Sequence, residues 1–518
     1  MAAPSKKLAE SLELLGALQQ QGAVAVRSGD LTRTHRERLV RNGFLREVMK
    51  GWYIPARPDQ TSDESTVWYT SYWEFCAAYL KHRFGNRWCL SPEQSLALHV
   101  GNRTVPQQLL VHTPRGGNKP TPLPQNTSLF DVRYTLPDQD NRVLVDGLRL
   151  FSLPAALVAC GAGFFENRAT DARAALATVR DASDVLAVLL AGGRSTVAGR
   201  LAGAFRNIGR DRIADDIVKT MRGAGYDVRE SDPFAEKPDL KLPLREPSPY
   251  VSRMRIMWQE MRKDVVPVFP VAPGIPADAN AYMKRVDEVY VTDAYHSLSI
   301  EGYRVHAELI ERVRSGSWNP HGNEHDDEAR NVLAARGYYD TFQSVKQSVQ
   351  RILSGEDPAS TAERAHGDWY RALWGPAVEA GISTAADLAG YRTGPVHIRR
   401  SMHTPPPREA VRDLMPLLFE LLGKEPDPAA RVVLGHFFFV YIHPYFDGNG
   451  RIGRFLMNAL LAAGGYPWTV IPVERRKDYM EALESASAGQ DIKPFATFLG
   501  ELVRNNMAGR PGPRVPGA

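Results

Sequence analysis

Twelve consecutive residues gather groups able to do acid–base and phosphate chemistry: His443-Pro444-Tyr445-Phe446-Asp447-Gly448-Asn449-Gly450-Arg451-Ile452-Gly453-Arg454. An imidazole with an ordinary pKa of about 6.5 is mostly neutral near pH 7, so His443 can take a proton from an attacking hydroxyl. Asp447 offers a hard oxygen ligand for Mg²⁺ bridging phosphates. Gly448 and Gly450 let the backbone approach an anion with no Cβ in the way. Arg451 and Arg454, three residues apart, can hold phosphate oxygens through forked donors. A Gly-Asn-Gly turn by itself would be an ordinary surface loop. Base, metal ligand, anion nest and two cations in this order make a polyphosphate site.

Such a site needs two helices to frame it. Asp427-Pro428 reads as a cap followed by a first-turn proline, and Ala429 to Ile442 is apolar nearly all round, as a buried central helix should be. That helix must stop at His443, because Pro444 disfavours helical backbone in the residue before it. Arg451 to Ala463 can form the second helix, closed by Gly464-Gly465. The loop then opens onto a helix N-terminus, whose free N–H groups and partial positive charge favour an anion. His436, seven before His443, reads as a satisfied core histidine. His321-Gly322-Asn323-Glu324-His325 matches a zinc-protease string, but Pro320, Gly322 and Asn323 oppose the helix that zinc would need, so no zinc site is expected.

The twelve-residue string resembles the motif of Fic domains, His-Pro-Phe-x-Asp/Glu-Gly-Asn-Gly-Arg-x-x-Arg, with Tyr445 in place of the Phe. The resemblance runs over residues 250 to 505, about half of the chain. It implies an adenylyltransferase that moves AMP from ATP to a Ser, Thr or Tyr hydroxyl of a target protein or of itself, releasing pyrophosphate. On these positions it makes His443 the general base and Asp447 the Mg²⁺ ligand. It places Gly448, Asn449, Gly450 and Arg451 along the α and β phosphates and Arg454 at the γ-phosphate. A second string, Ser297-Leu298-Ser299-Ile300-Glu301-Gly302, resembles the inhibitory helix of Fic proteins that carry this element before the catalytic motif. Glu301 would pair with Arg454 and block a productive γ-phosphate pose, because a guanidinium saturated by a carboxylate cannot also serve a triphosphate. A third, Tyr391 to Arg400 followed by Met402 to Pro407, resembles the family's β-hairpin flap, which pairs with the backbone of a target segment and would put Val396, His397 and Ile398 against it. The same resemblance admits removal of AMP by a water that Glu301 orients. Phosphate and phosphocholine transfer also occur on such folds, and the intact Gly-Asn-Gly-Arg disfavours them.

The first 57 residues read as a separate unit. Leu12, Leu15 and Leu18 recur at helical spacing, Thr32 or Thr34 can cap a helix over Arg33 to Asn42 with Gly43 as its stop, and Phe44–Val48, Lys50-Gly51 and Trp52–Ile54 form a hairpin. This is the order of a winged helix. Seven Lys/Arg against three acids lie between Arg27 and Lys50, and Arg33, Arg36, Arg38, Arg41 and Lys50 would suit DNA phosphates. The plain alternative is a solvated face on a protein-docking module. The unit resembles the N-terminal winged helix of AbiEi-type antitoxins through Leu15, Gly22, Leu31, Arg38-Leu39, Gly43-Phe44-Leu45 and Lys50-Gly51-Trp52-Tyr53. Residues 58 to 228 are similar in layout to the α/β body of those antitoxins, with strand-like runs at Gln108–Thr113, Leu129–Leu136 and Arg142–Leu150 ahead of helical runs near 154–190 and 195–223. A second functional reading follows, a DNA-binding transcriptional regulator whose Fic half senses nucleotide.

Five prolines between residues 231 and 250 mark a linker. The expected layout is a mainly α, multidomain chain: winged helix 1–57, small α/β domain 58–228, linker 229–252, all-helical Fic domain with a β-hairpin flap 253–505, and a flexible tail 506–518. The 518 residues carry 64 Lys+Arg against 59 Asp+Glu, and a net charge of +5 is too mild to announce nucleic acid by itself. Three cysteines, Cys76, Cys89 and Cys160, are too few for a disulfide scaffold and too scattered for zinc. With no apolar leader and no stretch long enough to span a membrane, a cytoplasmic protein is expected, its partners being ATP, a target protein and, through the winged helix, DNA. A homodimer is left open.

Overall fold

The computed structural model describes every residue except 1–5, 57, 59–64, 237–247, 317–325, 383 and 517–518. It divides into two compact units, Met1–Arg253 with His397–Thr404, and Met254–Val396 with Pro405–Ala518.

In the first unit, helix Lys6–Gln20, strand Val26–Arg27, helix Arg33–Arg41 and strands Leu45–Met49 and Trp52–Pro55 follow in order. The three strands pair antiparallel with Trp52–Pro55 in the middle. Gly51 at φ +82° makes the hairpin turn, a conformation open to glycine. Leu15, Val26, Leu31, Leu39, Leu45 and Tyr53 close a small core. Next comes a helix that the sequence reading does not anticipate, Thr66–Phe84, burying Trp68, Tyr72, Trp73, Phe75 and Tyr79. Its apolar residues surround it, so no helical stripe stands out. It packs over a four-stranded sheet in the order Cys89–Leu90, Gln108–Thr113, Ser128–Arg133, Pro120–Pro122. Its central pair is parallel. The run at 142–150 is a hairpin of Arg142–Val145 and Leu148–Phe151, turned by Asp146-Gly147 with both residues at positive φ. Six helices between Leu153 and Gly223 complete the body. A further helix begins at Pro249, inside the expected linker, of which residues 237–247 lie outside the described residues.

The second unit is helical. Its main helices are Ala279–Ile300, Asp326–Leu353, Pro358–Glu379, Arg408–Lys424, Pro428–Ile442, Asn449–Ala463, Arg476–Gly489 and Lys493–Met507. Helix Pro428–Ile442 starts as its sequence predicts, with the Asp427 carboxylate accepting from the Ala430 N–H at 2.9 Å, and it is buried along nearly its whole length. Gly435 lets it sit close to its neighbours, since a Cβ there would lie 2.6 Å from Leu460 Cδ1 and 2.9 Å from Leu422 Cδ2.

The expected β-hairpin flap does not form. Residues 391–407 contain no strand. Pro395, Pro405, Pro406 and Pro407 remove four backbone donors from the segment. Its tip, His397–Thr404, belongs to the first unit, where the Val105 N–H donates to the Met402 carbonyl at 3.0 Å and the Arg400 N–H to Thr66 Oγ1 at 3.2 Å. Met402 packs against that unit's aromatic core. Ladder partners are replaced by contacts to a neighbouring loop and helix.

Candidate active site

Helix Pro428–Ile442 ends as Pro444 requires, with His443 in the left-handed region at φ +53°. His443 Nδ1 lies 3.1 Å from the Val440 carbonyl in the last turn of that helix. An acceptor there places the proton on Nδ1 and leaves Nε2 unprotonated, the form a base needs. Burial pushes the His443 pKa down to about 4, the Val440 carbonyl pulling the other way and Arg392 adding to the fall.

The loop is stitched from within. Asn449 Oδ1 accepts from the Tyr445 N–H at 2.9 Å and its Nδ2 donates to the Tyr445 carbonyl at 2.8 Å. Its side chain is thus spent on the loop itself, leaving its backbone N–H for an anion. The Tyr445 ring stacks on Tyr370 at 3.9 Å between centroids, so the Phe-to-Tyr change keeps an aromatic anchor in the core. Arg392, inside the flap string, is a support that the sequence reading gave no such role. It is buried, its Nε donates to the His443 carbonyl at 2.8 Å, and its Nη2 reaches the Pro406 and Ile442 carbonyls. A cation at a helix C-terminus satisfies carbonyls that have no partner within the helix.

Gly448, at φ +83°, is the N-cap of helix Asn449–Ala463, which starts two residues before the Arg451 expected. The N–H groups of residues 449–451 open its first turn without intrahelical partners. Asp447 Oδ1 accepts from the Gly448 N–H at 2.6 Å, and its side chain is 67% exposed. Among the described residues no group of three or more His, Cys, Asp or Glu side chains gathers to hold a metal. A single exposed carboxylate beside a phosphate nest still fits Mg²⁺, a cation that keeps most of its waters and takes substrate phosphates as ligands.

Glu301 lies across this turn. Arg454 Nη2 donates to Glu301 Oε1 at 2.7 Å and to the Ser297 carbonyl at 3.0 Å, and Arg454 Nε donates to Ser297 Oγ at 2.9 Å. A Cβ on Gly450 would come within 2.5 Å of Glu301 Oε1, so the carboxylate stands against the helix N-terminus itself. Burial works to raise the Glu301 pKa, but Arg454, Arg451 and Arg476 outweigh it and hold the carboxyl below its ordinary range. It is ionised at neutral pH. Gly302, at φ +87°, turns the chain just after it, and Arg476 Nε binds the Ile300 carbonyl at 2.7 Å.

The structure therefore brings His443, Asp447, Gly448, Asn449, Gly450, Arg451 and Arg454 into one loop and helix turn, and Ser297 and Glu301 onto Arg454. Two neighbours escaped the sequence reading: Tyr303 and Trp374 both lie against Arg451, with ring centroids 5.2 and 5.1 Å from its guanidinium carbon. His436 is buried in the core as expected, its Nε2 2.8 Å from the Tyr479 hydroxyl and its Nδ1 without a hydrogen-bond partner among the described residues.

Residues 373–461 match the Fic/DOC family. The chain carries a Fic domain. The proteins named protein adenylyltransferase Fic from Nematostella vectensis and Drosophila mojavensis are 30% identical over 250 residues and 26% over 246, which is 45% and 44% of this chain and 52% and 43% of theirs. The chain thus spans about half the length of the curated relatives it matches. Among solved structures, C. elegans Fic-1 aligns over 66% of this chain and 95% of its own at 16% identity and a TM-score of 0.37. A Fic family protein from Desulfovibrio desulfuricans G20 aligns over 52% and 77% at 23% and 0.36. Overlaps of that quality add nothing to the assignment, which rests on the family match and the loop.

The remaining expected residues are less concentrated. Val396 is half-buried in the second unit, while His397 and Ile398 belong to the first. Of the five basic residues assigned to DNA, Arg33 pairs with Glu37 at 2.7 Å, Arg36 donates to the Ser28 carbonyl at 2.7 Å and Arg38 to Ser11 Oγ at 2.8 Å. Arg41 and Lys50 are exposed. The zinc-like string at 321–325 lies outside the described residues. All three cysteines are buried and free. Among the described residues no helix is long and apolar enough to cross a membrane.

Proposed function

We propose that this chain is an autoinhibited protein adenylyltransferase, moving AMP from ATP to a hydroxyl side chain of a target protein or of itself. The observation that carries this reading is the loop: an unprotonated His443 Nε2 beside a glycine-capped helix N-terminus bearing two arginines. The target oxygen attacks the α-phosphorus as its proton passes to His443 Nε2, and the bond to the pyrophosphate oxygen breaks. Residues 449–451 hold the phosphates through backbone N–H groups, and Arg451 and Arg454 offset the charge that spreads to the leaving pyrophosphate. Bound Mg²⁺, held by Asp447, would supply further charge neutralisation on the phosphate oxygens.

Glu301 supports the inhibited state. With its carboxylate on Arg454 and against the first turn, a γ-phosphate at the same guanidinium would meet a like charge in a partly dry site. Pyrophosphate release is the direct test. With Mg²⁺ and ATP, Glu301→Gly should release it together with protein-bound AMP in equal amounts, and wild type far more slowly. ATP turnover to ADP and phosphate, with no AMP on protein, would overturn the reading.

A further inference from the structure

Arg451 is held in an unusual way. Its side chain is 2% exposed, yet among the described residues it makes no hydrogen bond. Its nearest carboxylate oxygen is Asp447 Oδ1 at 3.9 Å, and its Nε is buried without an acceptor. Buried guanidinium groups ordinarily answer to several acceptors, because an unpaired buried donor costs stability. Here two ring faces stand in for them, Trp374 at 5.1 Å and Tyr303 at 5.2 Å. The exposed Arg330 lies over Tyr303 too, at 5.4 Å.

The sequence builds for this contact. Trp374 lies in helix Pro358–Glu379, next to Leu373. A Cβ on Gly448 would be 2.9 Å from Leu373 Cδ2 and 3.0 Å from Trp374 Nε1. Glycine at the cap therefore serves the close approach of Trp374 as well as the positive φ. The Trp374 indole N–H is buried with no acceptor, so the ring gains nothing from a hydrogen bond there and is placed for its face.

We propose that Trp374 and Tyr303 are positioning residues, an aromatic clamp that fixes the plane of Arg451 while leaving its N–H donors free for the phosphates of the nucleotide. A ring face attracts a guanidinium without using any of those donors, whereas a carboxylate partner would saturate them and compete with the ligand. The clamp also joins the inhibitory segment to the phosphate site, since Tyr303 stands two residues after Glu301. Removing only the carboxylate, as in Glu301→Gly, leaves both rings in place. Withdrawing the whole 301–303 segment takes one face from Arg451.

This inference rests on nucleotide binding at the loop. Its test uses the full chain in the Glu301→Gly background, measuring Mg·ATP affinity by calorimetry and the kinetics of AMP transfer. Trp374→Leu should weaken ATP binding about five- to tenfold and raise the KM for ATP with kcat within twofold. Trp374→Phe, which keeps a ring face, should recover most of that loss, and Tyr303→Leu should shift affinity in the same direction. The decisive arm is a double-mutant cycle: in an Arg451→Met background, Trp374→Leu should change ATP affinity less than twofold. Equal losses in Trp374→Leu and Trp374→Phe, or an undiminished loss without Arg451, would overturn the clamp. A Glu301→Gly parent that binds no ATP would instead overturn nucleotide binding, and the clamp with it.

Discussion

Two arginines on one helix turn are treated in opposite ways. Arg454 is met by directed acceptors, Ser297 Oγ, the Ser297 carbonyl and Glu301 Oε1. Arg451 is met by two ring faces and has no hydrogen bond among the described residues. At the carboxylate end Nε and Nη2 of Arg454 are occupied and only the buried Nη1 lacks an acceptor, while Arg451, equally buried, has no acceptor for its donors among the described residues. A switch acting at the first can then leave the second ready, so autoinhibition need not abolish nucleotide binding. It only has to spoil the pose.

The strongest perturbation removes the chemistry and leaves both arginines alone. His443→Ala in a Glu301→Gly background should cut AMP transfer by about 10²- to 10⁴-fold, the usual worth of a general base, with ATP affinity by calorimetry within a few-fold. Parallel loss of affinity would mean that His443 holds the loop and does not act as its base.

Next in size is the closed end. Glu301→Gly should raise transfer by roughly 10- to 100-fold, since a charge-assisted bond of about 1.5–3 kcal/mol no longer has to be displaced. Arg454→Met sharpens the comparison. Without the guanidinium Glu301 loses its one directed partner, so adding Glu301→Gly should change the residual rate by less than about threefold, a non-additivity expected of residues acting as a pair. A full 10- to 100-fold gain in Arg454→Met would show that Glu301 inhibits from elsewhere.

The smallest expected effect is in pH. A histidine at its ordinary pKa loses roughly threefold of its neutral form between pH 7 and 6. His443, pushed down to about 4 by burial, stays neutral until the pH approaches that value. Glu301→Gly transfer should therefore change less than about twofold between pH 6 and 8, read as initial rates at saturating ATP. A fall with a midpoint near 6.5 would place His443 in open solvent.

The chemistry was legible because it is local. Pro444 ends one helix, Gly448 starts the next, and base, carboxylate and cations sit within twelve residues whose backbone fixes their relations. The Glu301–Arg454 pair bridges 153 residues and was reached only through the resemblance of its own short string. Arg392, Tyr303 and Trp374 carried no local signal. An arginine in a loop, a tyrosine after a glycine and a tryptophan on a helix acquire meaning only when tertiary packing brings them to the His443 carbonyl and to the Arg451 face. The flap was misread for a related reason. Its string suits a hairpin in a Fic unit standing alone, but here the backbone of its tip bonds to Val105 and Thr66. The Thr66–Phe84 helix stayed hidden because burial on all sides erases the 3.6-residue period.

The central claim is that one loop transfers AMP and one carboxylate restrains it. Mg²⁺-dependent transfer of label from α-labelled ATP onto protein, compared among wild type, Glu301→Gly and Glu301→Gly/His443→Ala, alone and with cell lysate, tests it most directly. The account predicts faint label in wild type, strong label in Glu301→Gly and none in the double variant. Equal labelling in all three, or none in Glu301→Gly while that protein is folded and binds ATP, would contradict it.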